Sequence, residues 1–193
     1  MKRVIALVLF FVVSMLSLNA EEYTLTTKEQ IIKQIIEKKY NYNSMGLLKA
    51  LKEGNNDCVS LFLASGFDPN TTIMKMPAIY WAIKLKKSEI VDKLLTAGVD
   101  PNQEINGQSL MALAISTQNI DTVKVLIKHG ANVNDLSAGK SLLSLALSKK
   151  SEEISNLLIK SGANIDEASL KKALTLNNST LKDLILINYK AQE

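Results

Sequence analysis

One histidine and one cysteine are the side chains of this sequence best suited to metal binding or nucleophilic catalysis. His129 directly precedes Gly130 at the end of an apolar helical stretch, and Cys58 lies in another such stretch far away along the chain. A metal site needs several ligands, and a nucleophile needs a base within hydrogen-bonding distance, so this pair supplies neither set. We therefore interpret His129 as a helix-end residue and Cys58 as a small buried hydrophobe.

The acidic side chains add little further chemistry. The pairs Glu21-Glu22 and Glu152-Glu153 lie next to an apolar leader and at a helix start, where solvation and the helix dipole account for them. The sequence also has no glycine-rich phosphate-binding loop. We predict a protein that is not an enzyme and that has no cofactor and no metal. A carboxylate pair assembled by folding is the alternative that the sequence leaves open.

Residues 1–20 are organised as a targeting segment. Met1-Lys2-Arg3 is basic, residues 4–18 are apolar apart from two serines, and Asn19-Ala20 ends the run. This order predicts a secretory signal peptide that is cleaved after Ala20. An uncleaved anchor is the alternative, but a membrane span needs about 20 apolar residues. We therefore expect an exported, periplasmic protein that is soluble after cleavage and has no membrane partner.

The charge balance bears on the class of partner. Loss of Lys2 and Arg3 lowers the number of basic residues from 23 to 21, against 19 acidic residues. Such a near-neutral chain with interspersed charges favours neither nucleic acid nor an anionic membrane. Cys58 is the only cysteine, so the exported fold would depend on packing without an internal disulfide. The composition, rich in Lys, Asn and Ile, indicates a bacterial source.

A short phrase that contains glycine recurs along the chain at a fixed period. Each glycine follows an apolar helical stretch, and the spacing is 32 residues: Gly66, Gly98, Gly130 and Gly162. A second helical stretch precedes each of these, and its alanine recurs at the same spacing of 32 residues: Ala50, Ala82, Ala114 and Ala146. A period of this length indicates a solenoid of stacked supersecondary units.

The residue types within one unit predict its local structure. Two stretches that are apolar at every third or fourth residue indicate an antiparallel helix pair. The glycine then falls just past the second helix, where a left-handed C-cap favours a residue without Cβ. Valine at Gly130 should strain the backbone by about 1–2 kcal/mol, whereas valine at Gly139, in the loop between units, should matter less. Pro77, Ser109 and Ser141 are suitable residues to begin the next helix.

The repeated phrases resemble those of the ankyrin repeat family. That family has Thr-Pro-Leu-His-x-Ala at its first helix and Gly-Ala-Asp-Val-Asn after its second, and residues 98–102 and 130–134 are similar to the second phrase. Ser109 and Ser141 replace the threonine of the first phrase, and the family's glycine between the helices remains only as Gly54. The resemblance implies an all-α ankyrin-repeat solenoid of stacked helix-turn-helix units with an N-terminal capping helix.

The repeats and their flanks define the expected domain organisation. Residues 1–20 form the signal peptide, 21–44 the N-terminal capping helix and 45–193 the repeat domain, with about four repeats of 32 residues and a degenerate C-terminal cap. Thr26 and Glu29 have the spacing of a capping box. An apolar stripe that would cover the first repeat follows them: Ile31, Ile32, Ile35 and Ile36. Lysines suited to a solvated outer face mark the other end: Lys171, Lys172, Lys182 and Lys190.

The resemblance implies that partners bind to the first helices and to the tips of the loops between units, termed fingers. The fingers span residues 70–76, 103–108 and 134–140. Methionine and aromatic residues are enriched at protein interfaces. The candidate partner-binding residues are Met74, Met76, Trp81, Glu104, Ile105, Leu113, Asp135 and Leu136. Packing between adjacent units is the alternative role for any one of them.

Two functions fit such a surface, and in both the partner is another protein. The first is a periplasmic adaptor or accessory protein that binds or protects another exported protein. The second is an antagonist, such as an immunity protein that neutralises a toxin. An antagonist would favour a strongly charged face, because electrostatic steering raises the association rate. The near-neutral charge favours the adaptor slightly, and we expect the chain to be a monomer by itself.

Overall fold

The chain is described here from a computed structural model that covers residues 26–175 and 178–190, so the predicted signal peptide lies outside the described residues. The helices are α1 Thr27–Glu37, α2 Ser44–Glu53, α3 Asn56–Ala64, α4 Ala78–Lys84, α5 Ser88–Thr96, α6 Leu110–Ser116, α7 Ile120–Lys128, α8 Leu142–Ser148, α9 Glu152–Lys160, α10 Glu167–Leu174 and α11 Ser179–Lys190. The strands are β1 Thr72–Ile73, β2 Met76–Pro77, β3 Glu104–Ile105, β4 Gln108–Ser109, β5 Leu136–Ser137 and β6 Lys140–Ser141. None of the described helices is long and apolar enough to cross a bilayer.

The helices stack in two layers. The first helices of the pairs form the inner layer, which consists of α2, α4, α6, α8 and α10, and the second helices form the outer layer, which consists of α3, α5, α7, α9 and α11. Each helix packs against its partner in the pair and against the next helix of its own layer. Each unit therefore buries its apolar faces against its neighbours, and the predicted solenoid is confirmed.

Small residues allow the helices of the core to approach one another. The alanines that recur in the inner helices are completely buried: Ala50, Ala82, Ala114 and Ala146. Large apolar side chains pack around them without solvent exposure, among them Leu47, Leu51, Ile79, Ile83 and Leu110. Truncation of one such leucine or isoleucine to alanine removes about 2–5 kcal/mol of stability in a packed core. The recurring helical pattern is therefore the pattern of the core.

The glycine that follows each outer helix has the left-handed backbone that the sequence predicts. The φ angles are 80° at Gly66, 102° at Gly98, 82° at Gly130 and 87° at Gly162. After α5, the Gly98 N–H donates to Leu95 O at 3.0 Å, and the Val99 N–H donates to Leu94 O at 3.2 Å. These two bonds form a Schellman motif, which satisfies carbonyls at the helix end. An added Cβ would meet no atom within 4 Å at any of the four, so the conformation itself requires glycine.

The three fingers are hairpins that turn through two residues with positive φ. The pairs and their φ angles are Met74 and Lys75 (51° and 67°), Asn106 and Gly107 (53° and 72°), and Ala138 and Gly139 (50° and 72°). Positive φ at both central residues is the requirement of a type I′ turn, for which Asn-Gly is the preferred pair. The expectation that valine at Gly139 matters less than valine at Gly130 is therefore wrong in its premise, because both glycines have a left-handed backbone.

A second left-handed position lies between the two helices of each of the first four pairs. Gly54 occupies it in the first unit with a φ of 68°, whereas Lys86, Gln118 and Lys150 occupy it in the next three with φ of 55°, 53° and 56°. A residue with a Cβ in this conformation is strained by about 1–2 kcal/mol. The replacement of the family's glycine therefore leaves the turn in place, with backbone strain as the consequence.

The predicted residues begin the inner helices. Ser109 Oγ accepts a hydrogen bond from the Ala112 N–H at 3.3 Å, and Ser141 Oγ accepts one from the Ser144 N–H at 3.2 Å. Pro77 caps α4 without a side-chain hydrogen bond. A serine cap contributes about 1 kcal/mol to helix stability. Serine thus preserves the hydrogen bond at the helix start although the family's threonine is replaced.

The N-terminal helix α1 packs against α3 of the outer layer. Its capping box is present, because Thr26 Oγ1 accepts from the Glu29 N–H while the Glu29 carboxylate accepts from the Thr26 N–H. The predicted apolar stripe is only partly correct. Ile35 is completely buried, whereas Ile36 is 58% exposed. The reason is that α1 contacts the stack along one edge of the stripe and leaves the other edge uncovered.

The C-terminal cap differs from the expectation at one lysine. Lys172 Nζ donates to the Ser144 carbonyl oxygen at 2.9 Å and to Ser144 Oγ at 2.8 Å, and it also contacts Ser148 Oγ. Its side chain therefore joins α10 to the preceding inner helix α8. Lys171 is exposed and forms an ion pair of 2.8 Å with Glu167. The expectation of a solvated outer face applies to Lys171 and is wrong for Lys172.

Candidate protein-interaction surface

The finger tips carry the most exposed large apolar side chains among the predicted binding residues. Met74 is 65% exposed and Leu136 is 58% exposed. Glu104 is also exposed, and Asp135 is partly exposed with its Oδ1 accepting from the Leu136 N–H at 2.8 Å. Exposed apolar side chains at the tips of rigid hairpins are available to a partner at little ordering cost.

Two other predicted binding residues belong to the core. Ile105 is 9% exposed and Leu113 is 3% exposed. In the second finger the strand residues alternate, so that Glu104 faces solvent while Ile105 faces the stack. Leu113 lies in α6, which has inner neighbours on both sides. Both side chains are therefore packing residues, which was the alternative role that the sequence left open.

Trp81 connects the first finger to the inner helix α4. Its indole Nε1 donates to the Ile73 carbonyl oxygen at 2.8 Å, and the ring stays partly exposed. The Tyr80 ring lies edge-on to the Trp81 ring with centroids 5.4 Å apart. Met76, in the second strand of the finger, is also partly exposed, and its Sδ lies 3.8 Å from Asn106 Nδ2. Trp81 and Met76 thus form part of a surface and also position the finger.

Asparagines connect successive units next to the fingers. Asn102 Oδ1 accepts from the Asn132 N–H at 2.7 Å, while Asn102 Nδ2 donates to the Gly130 carbonyl oxygen at 3.3 Å. The next unit repeats the arrangement, with Asn134 Oδ1 accepting from the Asn164 N–H at 2.7 Å. Each side chain satisfies backbone groups of the following unit. The second finger, which follows Asn102, and the third finger, which begins at Asn134, are therefore each tied to the unit that comes after.

His129 makes a hydrogen-bond contact that the sequence did not indicate. Its Nε2 lies 2.7 Å from Asp92 Oδ1, and Lys128 Nζ lies 3.0 Å from the same oxygen. The hydrogen bond with His129, followed by the one with Lys128, holds the pKa of Asp92 below its ordinary value. Asp92 lies on α5 and His129 follows α7, so this cluster joins two units of the outer layer.

The other reactive side chains have structural surroundings. Cys58 is completely buried, and burial raises the pKa of its thiol, which lowers its nucleophilicity at neutral pH. A lysine amine beside a serine hydroxyl, as in Lys172 and Ser144, is the layout of serine–lysine hydrolases. Ser144 is only 1% exposed, however, so a substrate carbonyl has no access to its Oγ. Across residues 26–175 and 178–190, no cluster of His, Cys, Asp and Glu side chains could hold a metal ion.

A group of basic and aromatic side chains on the first two inner helices was not predicted as a unit. We call it the N-terminal patch, and it consists of Lys49, Lys52, Tyr80, Trp81 and Lys84. Lys49 Nζ lies 4.7 Å from the Tyr40 ring centroid, and Lys84 Nζ lies 5.7 Å from that of Tyr80. In the described part of the chain, no carboxylate oxygen lies within 4.0 Å, the limit for an ion pair, of the Nζ atom of any of these three lysines. Of these five residues, only Trp81 was predicted to bind a partner. The sequence feature that could have indicated the patch is that Lys52 and Lys84 lie 32 residues apart, at equivalent positions of successive units.

Helix pairs in two layers, glycine C-caps and hairpin fingers define a helical repeat solenoid built for contact with other proteins. The comparison with family models agrees, since the model for ankyrin repeats (3 copies) matches residues 23–105 and 79–169. The chain therefore belongs to the ankyrin repeat family. Ankyrin repeats are protein–protein interaction modules, and proteins built from them are generally not enzymes. A search among curated proteins found no match to this chain.

Proposed function

We propose that this protein is an exported, periplasmic adaptor that binds or protects another exported protein through its fingers and inner helices. The observation that carries the proposal is the exposure of Met74 and Leu136 on two ordered hairpin fingers. The indole of Trp81 positions the first of these fingers, and asparagine contacts hold the third. A large apolar side chain on an ordered hairpin loses little entropy on binding, so it is suited to act as an anchor.

Export rests on the residue order of positions 1–20, which is basic, then apolar, then small. On this proposal the mature chain begins at Glu21 and is released with the contents of the periplasm. Mass spectrometry of the protein from its native cell tests this directly. An intact Met1, or retention in the membrane fraction through salt and alkaline washes, would show that the segment is an anchor.

The binding surface is tested by affinity capture from the exported fraction with the purified protein as bait. Substitution of Met74 or Leu136 by serine should weaken binding of the captured partner by about 1–3 kcal/mol if the residue is a hot spot. Both variants should keep the parental melting temperature, because the two side chains are exposed. Lys171→Ser is the matched control on the C-terminal cap. If the control loses binding while the finger variants keep it, the interface lies at the other end of the stack.

A second candidate function is an antagonist, such as an immunity protein that neutralises a toxin. The observation in its favour is the N-terminal patch, because a concentrated positive charge accelerates association with an oppositely charged partner. The two candidates differ in what happens to the captured partner. An adaptor leaves the activity of its partner intact, whereas an antagonist abolishes that activity at stoichiometric concentration. An activity assay of the partner with and without this protein therefore separates them.

A further inference from the structure

The charges of the described helices are divided unevenly between the two layers. Among the inner helices α2, α4, α6 and α8, charged residues occur only in the first two: Lys49, Lys52, Glu53 and Lys84. The outer helices α3, α5, α7 and α9 carry four lysines and six acidic residues. The net charge of these four inner helices is therefore 3 − 1 = +2, and that of these four outer helices is 4 − 6 = −2. The surface that a partner meets depends on which layer it approaches.

The acidic residue among these inner helices is engaged by a neighbouring side chain. The Tyr40 hydroxyl donates to Glu53 Oε2. Glu89, which follows the turn after α4, accepts a hydrogen bond from Asn56 Nδ2. Lys86 and Lys87 precede it in the same turn and add to the positive charge beside Lys84. The lysines of the N-terminal patch are therefore exposed residues with further positive charge beside them, and the Lys49 amine also donates to the Lys39 carbonyl oxygen at 3.1 Å.

The same patch offers an apolar contact next to its amines. Tyr80 and Trp81 are partly exposed between the flanking lysines, and Met76 lies just before them in the finger. The hydrogen bond from Trp81 to Ile73 fixes the indole, so this contact is formed before any partner arrives. The complement of such a surface is a segment that carries carboxylates together with an apolar side chain.

We infer that the partner presents an acidic segment, with carboxylates facing Lys49, Lys52 and Lys84 and an apolar side chain placed against Trp81. This inference rests on the proposed function and specifies the chemistry of the partner. A protein segment fits better than a nucleic-acid strand, because strands are bound along longer basic tracks than three lysines provide. An extended segment in which carboxylate and apolar side chains alternate would contact both the lysines and the aromatic rings of the patch.

Trp81 is the only tryptophan of the chain, so its fluorescence reports on the patch directly. The probe is a short synthetic peptide that alternates glutamate with leucine, titrated into the purified protein at low ionic strength. We expect a saturable change in the Trp81 emission that weakens steeply with added salt. The same peptide with glutamine or with lysine in place of glutamate should give no saturable change. A single-stranded oligonucleotide that binds more tightly than the acidic peptide would overturn the inference.

Matched variants locate the binding. Removal of two positive charges from the patch by Lys52→Gln with Lys84→Gln should weaken the peptide about fivefold or more. Removal of two from the outer layer by Lys124→Gln with Lys160→Gln should leave the affinity unchanged. An equal loss of peptide affinity in both double variants, or no change of emission with the acidic peptide, would refute the inference.

The captured partner separates this inference from the proposed function. If that partner binds the patch variant as it binds the parent, the acidic inference fails and the adaptor proposal stands. If the protein captures no partner, the adaptor proposal fails.

Discussion

Position 75 of the first finger and position 107 of the second are structurally equivalent but hold different residues. Lys75 has a φ of 67° and Gly107 has a φ of 72°, so both require the left-handed region. A residue with a Cβ is strained there by about 1–2 kcal/mol, whereas glycine loses about 0.5–1 kcal/mol more conformational entropy on folding. The strain exceeds the entropy term. We predict that Lys75→Gly stabilises the protein by about 0.5–1 kcal/mol and that Gly107→Lys destabilises it by a similar amount.

The assay is urea and thermal unfolding of purified variants, followed by far-ultraviolet circular dichroism. For a chain of this size, about 1 kcal/mol corresponds to a melting-temperature change of about 2–4 °C. The change at position 75 removes an exposed lysine from a loop, so lost packing does not obscure the result. The two variants together test the sign of the effect in both directions.

Lys140→Gly is the control for this prediction. Lys140 is also an exposed lysine of a finger, but it lies in strand β6 and its φ is not positive. Glycine there should destabilise slightly, because only the entropy term applies. If Lys75→Gly destabilises as Lys140→Gly does, the left-handed strain is not what limits the first finger, and the reasoning from φ angles is refuted.

Three further changes have definite expected outcomes. Gly46→Ala should lower the melting temperature despite the better helix propensity of alanine, because the new Cβ would lie 1.8 Å from the Asn41 carbonyl oxygen. Trp81→Phe should reduce the free energy of unfolding by about 0.5–1.5 kcal/mol, since Ile73 loses its donor. Asp92 has a lowered pKa in the folded state, so its contribution is present at neutral pH and is lost as the pH falls below about 4. Urea unfolding should therefore show a steeper acid-dependent loss in the parent than in Asp92→Asn.

The helices, their order and their ends were predictable because they depend on local chemistry. An apolar residue at every third or fourth position defines a helix face, and serine at Ser109 or Ser141 can cap only a helix that starts beside it. A glycine after each outer helix indicates a left-handed backbone at a known place. Spacing of 32 residues then brings equivalent positions of successive units together, so the core alanines were also predictable.

The exposure of the finger residues follows their position in the repeat and was not predictable from their apolar character alone. Ile105 and Leu136 both lie in the first strand of a finger, yet Ile105 is buried and Leu136 is exposed. Ile105 directly precedes the two turn residues, whereas Leu136 lies one position earlier and so faces the other side of the hairpin. A shift of one residue in a strand reverses its face. The position of the turn within each finger is therefore needed to assign the surface.

The charged residues show most clearly what the sequence determines by itself and what only the tertiary structure decides. The sequence by itself determined the repeat, the caps and the overall charge balance, because these follow from composition and from neighbours along the chain. The contact between Asp92 and His129, and the placement of Lys84 beside Lys52, exist only after the units stack. Electrostatic interaction depends on distance in space, and stacking changes that distance for residues 32 or more positions apart. Stacking thus brings the lysines of α2 and α4 together at the N-terminal end of the inner layer, because it places side by side two helices that are far apart along the chain.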